Sequence, residues 1–193
     1  MSLRTAKVRR KTKETDIRVL VTIEGRGDSD CETGVAFLDH MLESFTTHSL
    51  VDLRVRAKGD LQHHVVEDVA LAVGQALNEA LGKRDGIGRF GNAIVPMDDA
   101  LVLAALDLVK RPYAEVQLGL QRTMLEDAPR EDLEHFFSSL ATGLGSTLHI
   151  KVLEGRNDHH KFEAAVKALA LAFREAAAPD PGRSSTPSSK GAM

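Results

Sequence analysis

The chain has 193 residues, of which 42% are hydrophobic and 27% are charged, and its formal net charge is −3. This composition excludes a disordered or fibrous chain, and the near-neutral charge gives no reason to expect nucleic acid or a membrane surface as a partner. Its single cysteine, Cys31, excludes an intrachain disulfide, and the basic N-terminal segment lacks an apolar secretory core, so we expect a cytoplasmic protein.

Hydrophobic spacing predicts two similar series of elements along the chain. Ile17, Val19 and Val21 alternate with polar residues, as in a half-buried strand, whereas other segments have helical spacing. The predicted elements of the first half are a strand at 17–23, a helix at 35–47, a strand at 51–56 and a helix at 64–81. Those of the second half are strands at 100–109 and 113–118, a helix at 131–144, a strand at 147–153 and a helix at 159–178. The segment 82–92 is predicted to be the loop that joins the halves.

Two sequence blocks occur twice. HMLESF at 40–45 resembles HFFSSL at 135–140, and HHVVE at 63–67 resembles HHKFE at 159–163, at offsets of 95 and 96 residues. Because both blocks recur at nearly one offset, the sequence indicates an internal duplication with halves at 1–88 and 89–178. We predict an α+β fold in which each half is a mixed β-sheet covered by two helices, packed in layers about a pseudo-twofold axis within one compact domain. The remaining segment, 179–193, has a composition typical of a flexible tail.

Six of the eight histidines lie in the repeated blocks and are candidate metal ligands. Residues i and i+4 share a helix face whereas adjacent residues point ~100° apart, so His63 and Glu67 can hold one ion while His64 faces elsewhere. The same reasoning applies to the second copy. Divided between two ions, the ligands give each ion three histidines and one glutamate. This donor set suits Mn, Fe, Co or Zn better than Mg or Ca. The predicted ligands are His40, His63, His64, Glu67, His135, His159, His160 and Glu163.

The charge of such a site favours an anionic substrate. Two divalent ions outweigh two glutamates, and Arg89, Arg111 and Lys167 are basic residues that the repeat places nearby. For Arg111 a structural role is equally open. The other two histidines are expected to differ, with His149 exposed on a strand and His48 complementing the dipole at the end of a helix.

Longer stretches of the sequence resemble one known family. Nearly the whole chain is similar, in order, to the imidazoleglycerol-phosphate dehydratase family in the stretches RRKTKETDIRVLVTIEG, FLDHML, GDLQHHVVED, GRFGNAIVPMDDAL, KRPY, HFFSSLA, TLHIKVLEGRNDHHKFEAAVKALA and PSSKG. The resemblance implies a carbon–oxygen lyase of histidine biosynthesis that dehydrates D-erythro-imidazole-glycerol phosphate to imidazole-acetol phosphate. It implies two Mn²⁺ per active site, bound by the eight predicted ligands. It also implies a homo-oligomer of 24 subunits with the metal sites at subunit interfaces.

The resemblance also implies roles for individual residues. The candidate catalytic carboxylates are Glu14, Glu67 and Glu163, and Glu14 is preferred because the other two are candidate metal ligands. The implied substrate-binding residues are Glu14, Arg89, Arg111, Lys167, Ser188, Ser189 and Lys190, of which the last three would close the tail over the bound phosphate. Where the family usually has Asp-x-His-His-Thr, this chain has LQHHV at 61–65. We therefore expect no aspartate to orient a metal-binding histidine at that point.

Two other functions are open on the sequence. One is a non-catalytic dinuclear metal-binding protein, although helical di-iron proteins are rich in carboxylates and use Glu-x-x-His, whereas this chain is rich in histidine. The other is a metal-dependent hydrolase, although the HExxH motif of zinc peptidases is absent from the sequence. The product distinguishes them from the lyase, because dehydration of the diol yields an enolisable ketone and hydrolysis does not.

Overall fold

The fold comes from a computed structural model that describes residues 3–189 and 191. The elements of the first half are β1 (Thr5–Lys11), β2 (Thr15–Thr22), β3 (Ser29–Glu32), α1 (Ala36–Ser49), β4 (Asp52–Gly59) and α2 (Gln62–Leu81). Those of the second half are β5 (Phe90–Met97), β6 (Ala100–Asp107), β7 (Tyr113–Gln117), β8 (Met124–Leu125), β9 (Ala128–Pro129), α3 (Arg130–Leu144), β10 (Thr147–Glu154) and α4 (Asp158–Ala177).

The two halves share one sheet topology. The first sheet has the strand order β1-β2-β4-β3 and the second has the order β5-β6-β10-β7. In each sheet three strands are antiparallel, and the last edge strand is parallel to its neighbour, β3 to β4 and β7 to β10. The predicted α+β fold with duplicated halves is therefore confirmed. The short β8–β9 hairpin belongs to the second half only, within the described part of the chain.

The helices pair across the two halves. α2 packs on β1, β2 and β4 and against α3, whereas α4 packs on β5, β6 and β10 and against α1. Each helix pair thus takes one helix from each half, and a single hydrophobic core contains residues of both halves. No helix in the described ranges is long and apolar enough to cross a membrane.

Two glycines allow α2 and α3 to approach closely. A Cβ atom added at Gly74 would lie 2.5 Å from the Leu140 carbonyl oxygen, and one added at Gly143 would lie 3.0 Å from the Gln75 amide nitrogen. Both distances are shorter than ordinary van der Waals contact, so only glycine fits there without a shift of backbone. The close crossing fixes the distance between the candidate ligands on these two helices.

Three of the four edge strands, β1, β3 and β5, are elements that the sequence pattern did not predict. β1 buries only Val8, β3 buries no residue, and β5 buries only Gly91. Such strands lack the alternating apolar residues by which a strand is recognised, and hydrogen bonding to a neighbouring strand determines their conformation. β5 also begins at Phe90, inside the segment predicted to be the joining loop.

The described part of the C-terminal segment lies against the loop between the halves. The Gly86 amide donates to the Ser185 carbonyl at 3.2 Å, and the Asp180 amide donates to the Gly86 carbonyl at 2.9 Å. The Arg89 guanidinium donates to the Pro187 carbonyl at 2.7 Å. The segment predicted to be a flexible tail therefore runs beside one of the predicted phosphate-binding residues.

Candidate metal centre

Six of the predicted ligands form two clusters, and each cluster draws on both halves of the chain. The first, named the α2–α3 cluster, consists of His63 and Glu67 on α2 and His135 on α3. The second, named the α4–α1 cluster, consists of His159 and Glu163 on α4 and His40 on α1. The i, i+4 spacing on each long helix places the histidine and the glutamate on one face, as predicted.

The α4–α1 cluster brings three donor atoms together. The His159 Nε2 atom lies 3.1 Å from Glu163 Oε2, and the His40 Nε2 atom lies 3.9 Å from the same oxygen. One donor atom from each of the three residues lies within 4.8 Å of the other two. Among residues 3–189 and 191, this is the only group of three or more such residues with donor atoms so close together. Its mixed nitrogen and oxygen donors fit a first-row transition ion.

The α2–α3 cluster has the same plan, with a longer distance between its histidine and its glutamate. The His63 Nε2 atom lies 3.8 Å from Glu67 Oε2, and the His63 and His135 rings are 6.2 Å apart between centroids. The equivalent rings of the other cluster, His40 and His159, are 6.5 Å apart. The duplication therefore extends to the relative positions of the candidate ligands.

The Glu163 carboxylate is largely buried and already has a cationic partner. Its Oε1 atom lies 2.9 Å from Lys167 Nζ, and only 10% of its side chain is exposed. Burial alone would raise the pKa of Glu163, but the hydrogen bond and charge of Lys167, with His40 and His159 beside it, lower the pKa below its usual value. Glu163 is therefore held as the anion that a metal ligand must be.

The second histidine of each pair faces away from its cluster and contacts an aspartate. The His64 Nδ1 atom lies 2.8 Å from Asp60 Oδ1, and the His160 Nδ1 atom lies 2.6 Å from Asp99 Oδ1. The hydrogen bond to Asp60 raises the pKa of His64 and lowers the pKa of Asp60. The expectation that no aspartate would orient a histidine here is wrong, because Asp60, four residues before His64, reaches its ring from the bend just before α2.

Glu14 lies beside His64, on the turn between β1 and β2. Its Oε2 atom is 4.0 Å from His64 Nδ1, and 56% of its side chain is exposed. Asp99 occupies the matching turn between β5 and β6 in the second half, where the His160 hydrogen bond and two backbone amides lower its pKa strongly. In the described structure the Glu14 carboxylate makes no hydrogen bond, so it is the freer of the two groups.

The predicted substrate-binding residues occupy several places. Arg89 pairs with Asp107 at 2.7 Å, and this hydrogen bond raises the pKa of the guanidinium. Arg111 is exposed just before β7, and Lys167 contacts Glu163 of the α4–α1 cluster. Within the described ranges, neither Arg89 nor Arg111 forms an ion pair with a residue of either cluster. The predicted Ser188 and Ser189 lie in the described C-terminal segment, and Lys190 lies outside the described residues.

The two remaining histidines, His149 and His48, lie outside both clusters. His149 is exposed, so its predicted exposure is confirmed, and its ring lies tilted beside that of Tyr113 with centroids 5.7 Å apart. His48 lies in the last turn of α1, where burial and the nearby charge of Lys167 lower its pKa. His48 thus lies at the helix end where the sequence placed it, and its charge–dipole role stays a prediction.

The two clusters are not joined within one chain. No ring contact or ion pair connects a member of the α2–α3 cluster with a member of the α4–α1 cluster in the part of the chain that the structure describes. Six candidate ligands thus form two separate groups of three, while His64 and His160 point elsewhere.

A duplicated α+β fold that carries two histidine–carboxylate clusters defines a class of candidate metal-dependent enzyme. Residues 33–173 match the family model described as imidazoleglycerol-phosphate dehydratase. The chain belongs to the imidazoleglycerol-phosphate dehydratase family, whose members are hydro-lyases of histidine biosynthesis, and it is accordingly such an enzyme.

Relatives and solved structures agree with this assignment over nearly the full length. The chain is 49% identical to the imidazoleglycerol-phosphate dehydratase of Chlorobium luteolum, over 98% of this chain and 96% of that relative. It is 47% identical to that of Methanothermobacter thermautotrophicus, over the whole of both chains. The crystal structure of Pyrococcus furiosus IGPD in complex with (S)-C348 superposes with a TM-score of 0.84 at 41% identity, covering 96% of this chain and 100% of that one. The Staphylococcus aureus enzyme gives a TM-score of 0.82 at 32% identity, covering 89% and 97%.

Proposed function

We propose that this enzyme dehydrates D-erythro-imidazole-glycerol phosphate to imidazole-acetol phosphate and that it uses two Mn²⁺ ions per active site. The observation that carries the proposal is the convergence of donor atoms from His40, His159 and Glu163 within 4.8 Å. We propose that the eight ligands are His40, His63, His64, Glu67, His135, His159, His160 and Glu163.

The residues present fit such an ion. Imidazole nitrogens and carboxylate oxygens are donors that manganese accepts, and the described parts of the chain offer no thiolate to these clusters. Asp60 and Asp99 bind the Nδ1 atoms of His64 and His160, as carboxylates commonly do beside metal-binding histidines. A bound divalent ion would supply Lewis acidity that stabilises negative charge without a proton.

The reaction requires a group that moves a proton at carbon. The hydroxyl group on the carbon that bears the imidazole ring takes up a proton and leaves as water, the carbon–hydrogen bond of the next carbon breaks, and the enol that forms tautomerises to the ketone. Glu67 and Glu163 are proposed ligands, so Glu14 is our choice for the carboxylate that takes the carbon proton. Its exposure and its 4.0 Å distance from His64 support this role, because a group that transfers a proton must not be tied up in other hydrogen bonds.

The phosphate of the substrate requires cationic and hydrogen-bonding groups. We propose that Arg89, Arg111, Lys167, Ser188, Ser189 and Lys190 supply them. The contact between Arg89 and the Pro187 carbonyl supports the participation of the C-terminal segment, since it places the first residue of PSSKG beside a guanidinium group. Guanidinium groups bind phosphate oxygens in a fork geometry that suits this task.

A complete site requires more than one subunit in this proposal. The two clusters are not joined within one described chain, and His64 and His160 point away from them, which supports ligands shared between subunits. We propose a homo-oligomer of 24 subunits with the metal sites at its interfaces. A cytoplasmic location is also proposed, because the single Cys31 suits a reducing compartment.

Replacement of Glu14 tests the proposed proton transfer. Glu14→Gln keeps the shape of the side chain and removes its basicity, so we expect unchanged manganese content and a turnover lower by about 10²-fold or more. The measurement is formation of the enolisable ketone from imidazoleglycerol phosphate, together with metal analysis of the same sample.

The matched control is Glu154→Gln, which changes an exposed glutamate at the end of β10. We expect it to retain normal turnover. Normal turnover by Glu14→Gln as well would remove Glu14 from the mechanism, and absence of the ketone from the wild-type reaction would contradict the proposed activity itself.

A further inference from the structure

We propose that Asp132 is a positioning residue for His63 and that it makes the α2–α3 cluster the tighter of the two metal sites. This inference rests on the proposed function, because it concerns the ions that the two clusters would hold. It differs from that function in assigning a role to a carboxylate outside the ligand set and in predicting two unequal sites.

Asp132 lies on the same helix as one of the candidate ligands. It lies on α3 one turn before His135, and its Oδ1 atom is 2.6 Å from the Nδ1 atom of His63 on α2. A hydrogen bond from Nδ1–H to the carboxylate fixes the imidazole tautomer and leaves the Nε2 lone pair for an ion. The Nε2 atom of His63 is the one that faces Glu67.

The burial of Asp132 indicates that this contact is its main role. Only 4% of its side chain is exposed, whereas half of the His63 side chain is exposed. In the described structure no lysine or arginine pairs with Asp132, and the His63 ring is the group that hydrogen-bonds its carboxylate. A buried carboxylate is costly unless it is paired, so the His63 ring is the group that compensates it.

The pseudo-equivalent position in the other cluster carries no carboxylate. The 95-residue offset that relates His40 to His135 relates Phe37 to Asp132. The Phe37 ring packs against His159 with centroids 5.4 Å apart, and the His159 Nδ1 atom meets the half-exposed Glu126 at 3.2 Å. His159 is thus held by an apolar ring and an exposed carboxylate, which restrict it less than the hydrogen bond to a buried carboxylate restricts His63.

A second difference, at Lys167, also favours metal binding by the α2–α3 cluster. Glu163 has Lys167 one turn later on α4, at 2.9 Å, and the 96-residue offset places Leu71 at the matching position after Glu67. An ion in the α4–α1 cluster must compete with the Lys167 ammonium for Glu163, whereas within the described ranges no lysine or arginine pairs with Glu67. Both differences favour metal binding by the α2–α3 cluster.

The inference is tested by titrating Mn²⁺ into the chelator-treated, full-length protein and following free Mn²⁺ by electron paramagnetic resonance. The wild type is expected to bind in two phases of different affinity. Asp132→Asn keeps the shape of the side chain and is expected to weaken the tighter phase by about 10- to 100-fold while the weaker phase stays unchanged. Asp132→Glu restores a carboxylate and is expected to recover part of the loss.

Two controls separate this role from a merely structural one. Glu131→Gln changes the exposed neighbour on α3 and is expected to leave both phases intact. Thermal unfolding of each metal-free variant shows whether that variant is folded. If Asp132→Asn does not fold, Asp132→Glu still tests the role, because the glutamate keeps the negative charge but moves the carboxylate.

Each outcome discriminates. A wild type that binds two equal ions, or a folded Asp132→Asn that behaves like Glu131→Gln, overturns the inference and leaves the proposed function standing. A wild type that binds no manganese contradicts the proposed metal dependence itself.

Discussion

Lys161 and Asp158 form a buried ion pair beside the α4–α1 cluster. The Lys161 Nζ atom lies 3.0 Å from Asp158 Oδ1 and 2.9 Å from the Gly119 carbonyl oxygen. Asp158 also accepts hydrogen bonds from the Gln121 and Arg122 amides at 2.7 Å. The pair therefore anchors the chain between β7 and β8 to the first turn of α4, where His159 and His160 are located.

This ion pair gives a pH-dependent contribution to stability. Burial alone would raise the pKa of Asp158, but the amide hydrogen bonds and Lys161 outweigh it, and the pKa lies below its usual value. A lowered pKa stabilises the fold fully above the ordinary value of about 3.9 and loses that contribution as the pH falls through the folded-state pKa.

Asp158→Asn is expected to reduce the free energy of unfolding by about 3 kcal/mol at pH 7, because it leaves the buried Lys161 charge without its partner. The difference from the wild type should shrink as the pH falls below about 3.9, because the unfolded chain then binds a proton that the folded Asp158 resists. Urea unfolding at pH 7 and pH 3 measures this difference in the free energy of unfolding, and Asp28→Asn, at an exposed position, is the control. An equal difference at both pH values would exclude the ion pair as the cause.

The sequence predicts the relative positions of side chains well where the residues lie on one helix. The faces of His63, Glu67 and His64 follow from helical geometry alone. Asp132 could not be predicted as a partner of His63, because 69 residues separate them and only the crossing of α2 with α3 brings them together. Asp60 is closer in sequence to His64, but its role depends on the bend of the chain into α2.

At the scale of elements, the crossing of α2 and α3 determines the geometry of one cluster. Gly143→Ala would push a methyl group against the backbone of α2 at Leu71 and Gln75. We expect a loss of about 1–3 kcal/mol in the free energy of unfolding, because rigid backbone must move to admit the methyl group. Manganese affinity should fall as well, since His135 moves away from His63.

Gly182→Ala is the matched control for this change. Its added Cβ would lie 3.3 Å from the end of the flexible Asp180 side chain, which can move at little cost. Urea unfolding of both variants compares the effects. If Gly143→Ala were as stable as Gly182→Ala, the close approach of the two helices would not be the constraint described above.

Helices and central strands were predictable because their burial is periodic. β2 buries every second residue, and α2 and α4 bury long apolar stripes, so their patterns predict both type and position. β1, β3 and β5 lie at sheet edges with little burial, and β8 and β9 have two residues each. For these strands the tertiary partner supplies the information that the local sequence lacks.

At the scale of the whole molecule, the duplication was predictable and the pairing of helices was not. The offsets of 95 and 96 residues relate the halves whatever their arrangement in space. His40 lies in the cluster of the second half because α1 packs against α4, and His135 lies in that of the first half because α3 packs against α2. No periodicity within either half carries that information.

The proposed assembly predicts a particle whose mass depends on metal. Native mass spectrometry of the manganese-loaded protein should give a species of 24 subunits, and a chelator should convert it to a smaller one, because ligands are shared between subunits. His40→Ala should fail to reassemble when manganese is restored, whereas the exposed His149→Ala should reassemble. A particle of unchanged mass in chelator would contradict shared metal sites.

The most direct test of the central claim is the rate of ketone formation from imidazoleglycerol phosphate by the chelator-treated protein before and after manganese is restored. We predict that the treated protein is inactive and that Mn²⁺ restores turnover. Full turnover in the continued presence of chelator, or no turnover after manganese is bound, would contradict a dehydratase that acts through these two histidine–carboxylate clusters.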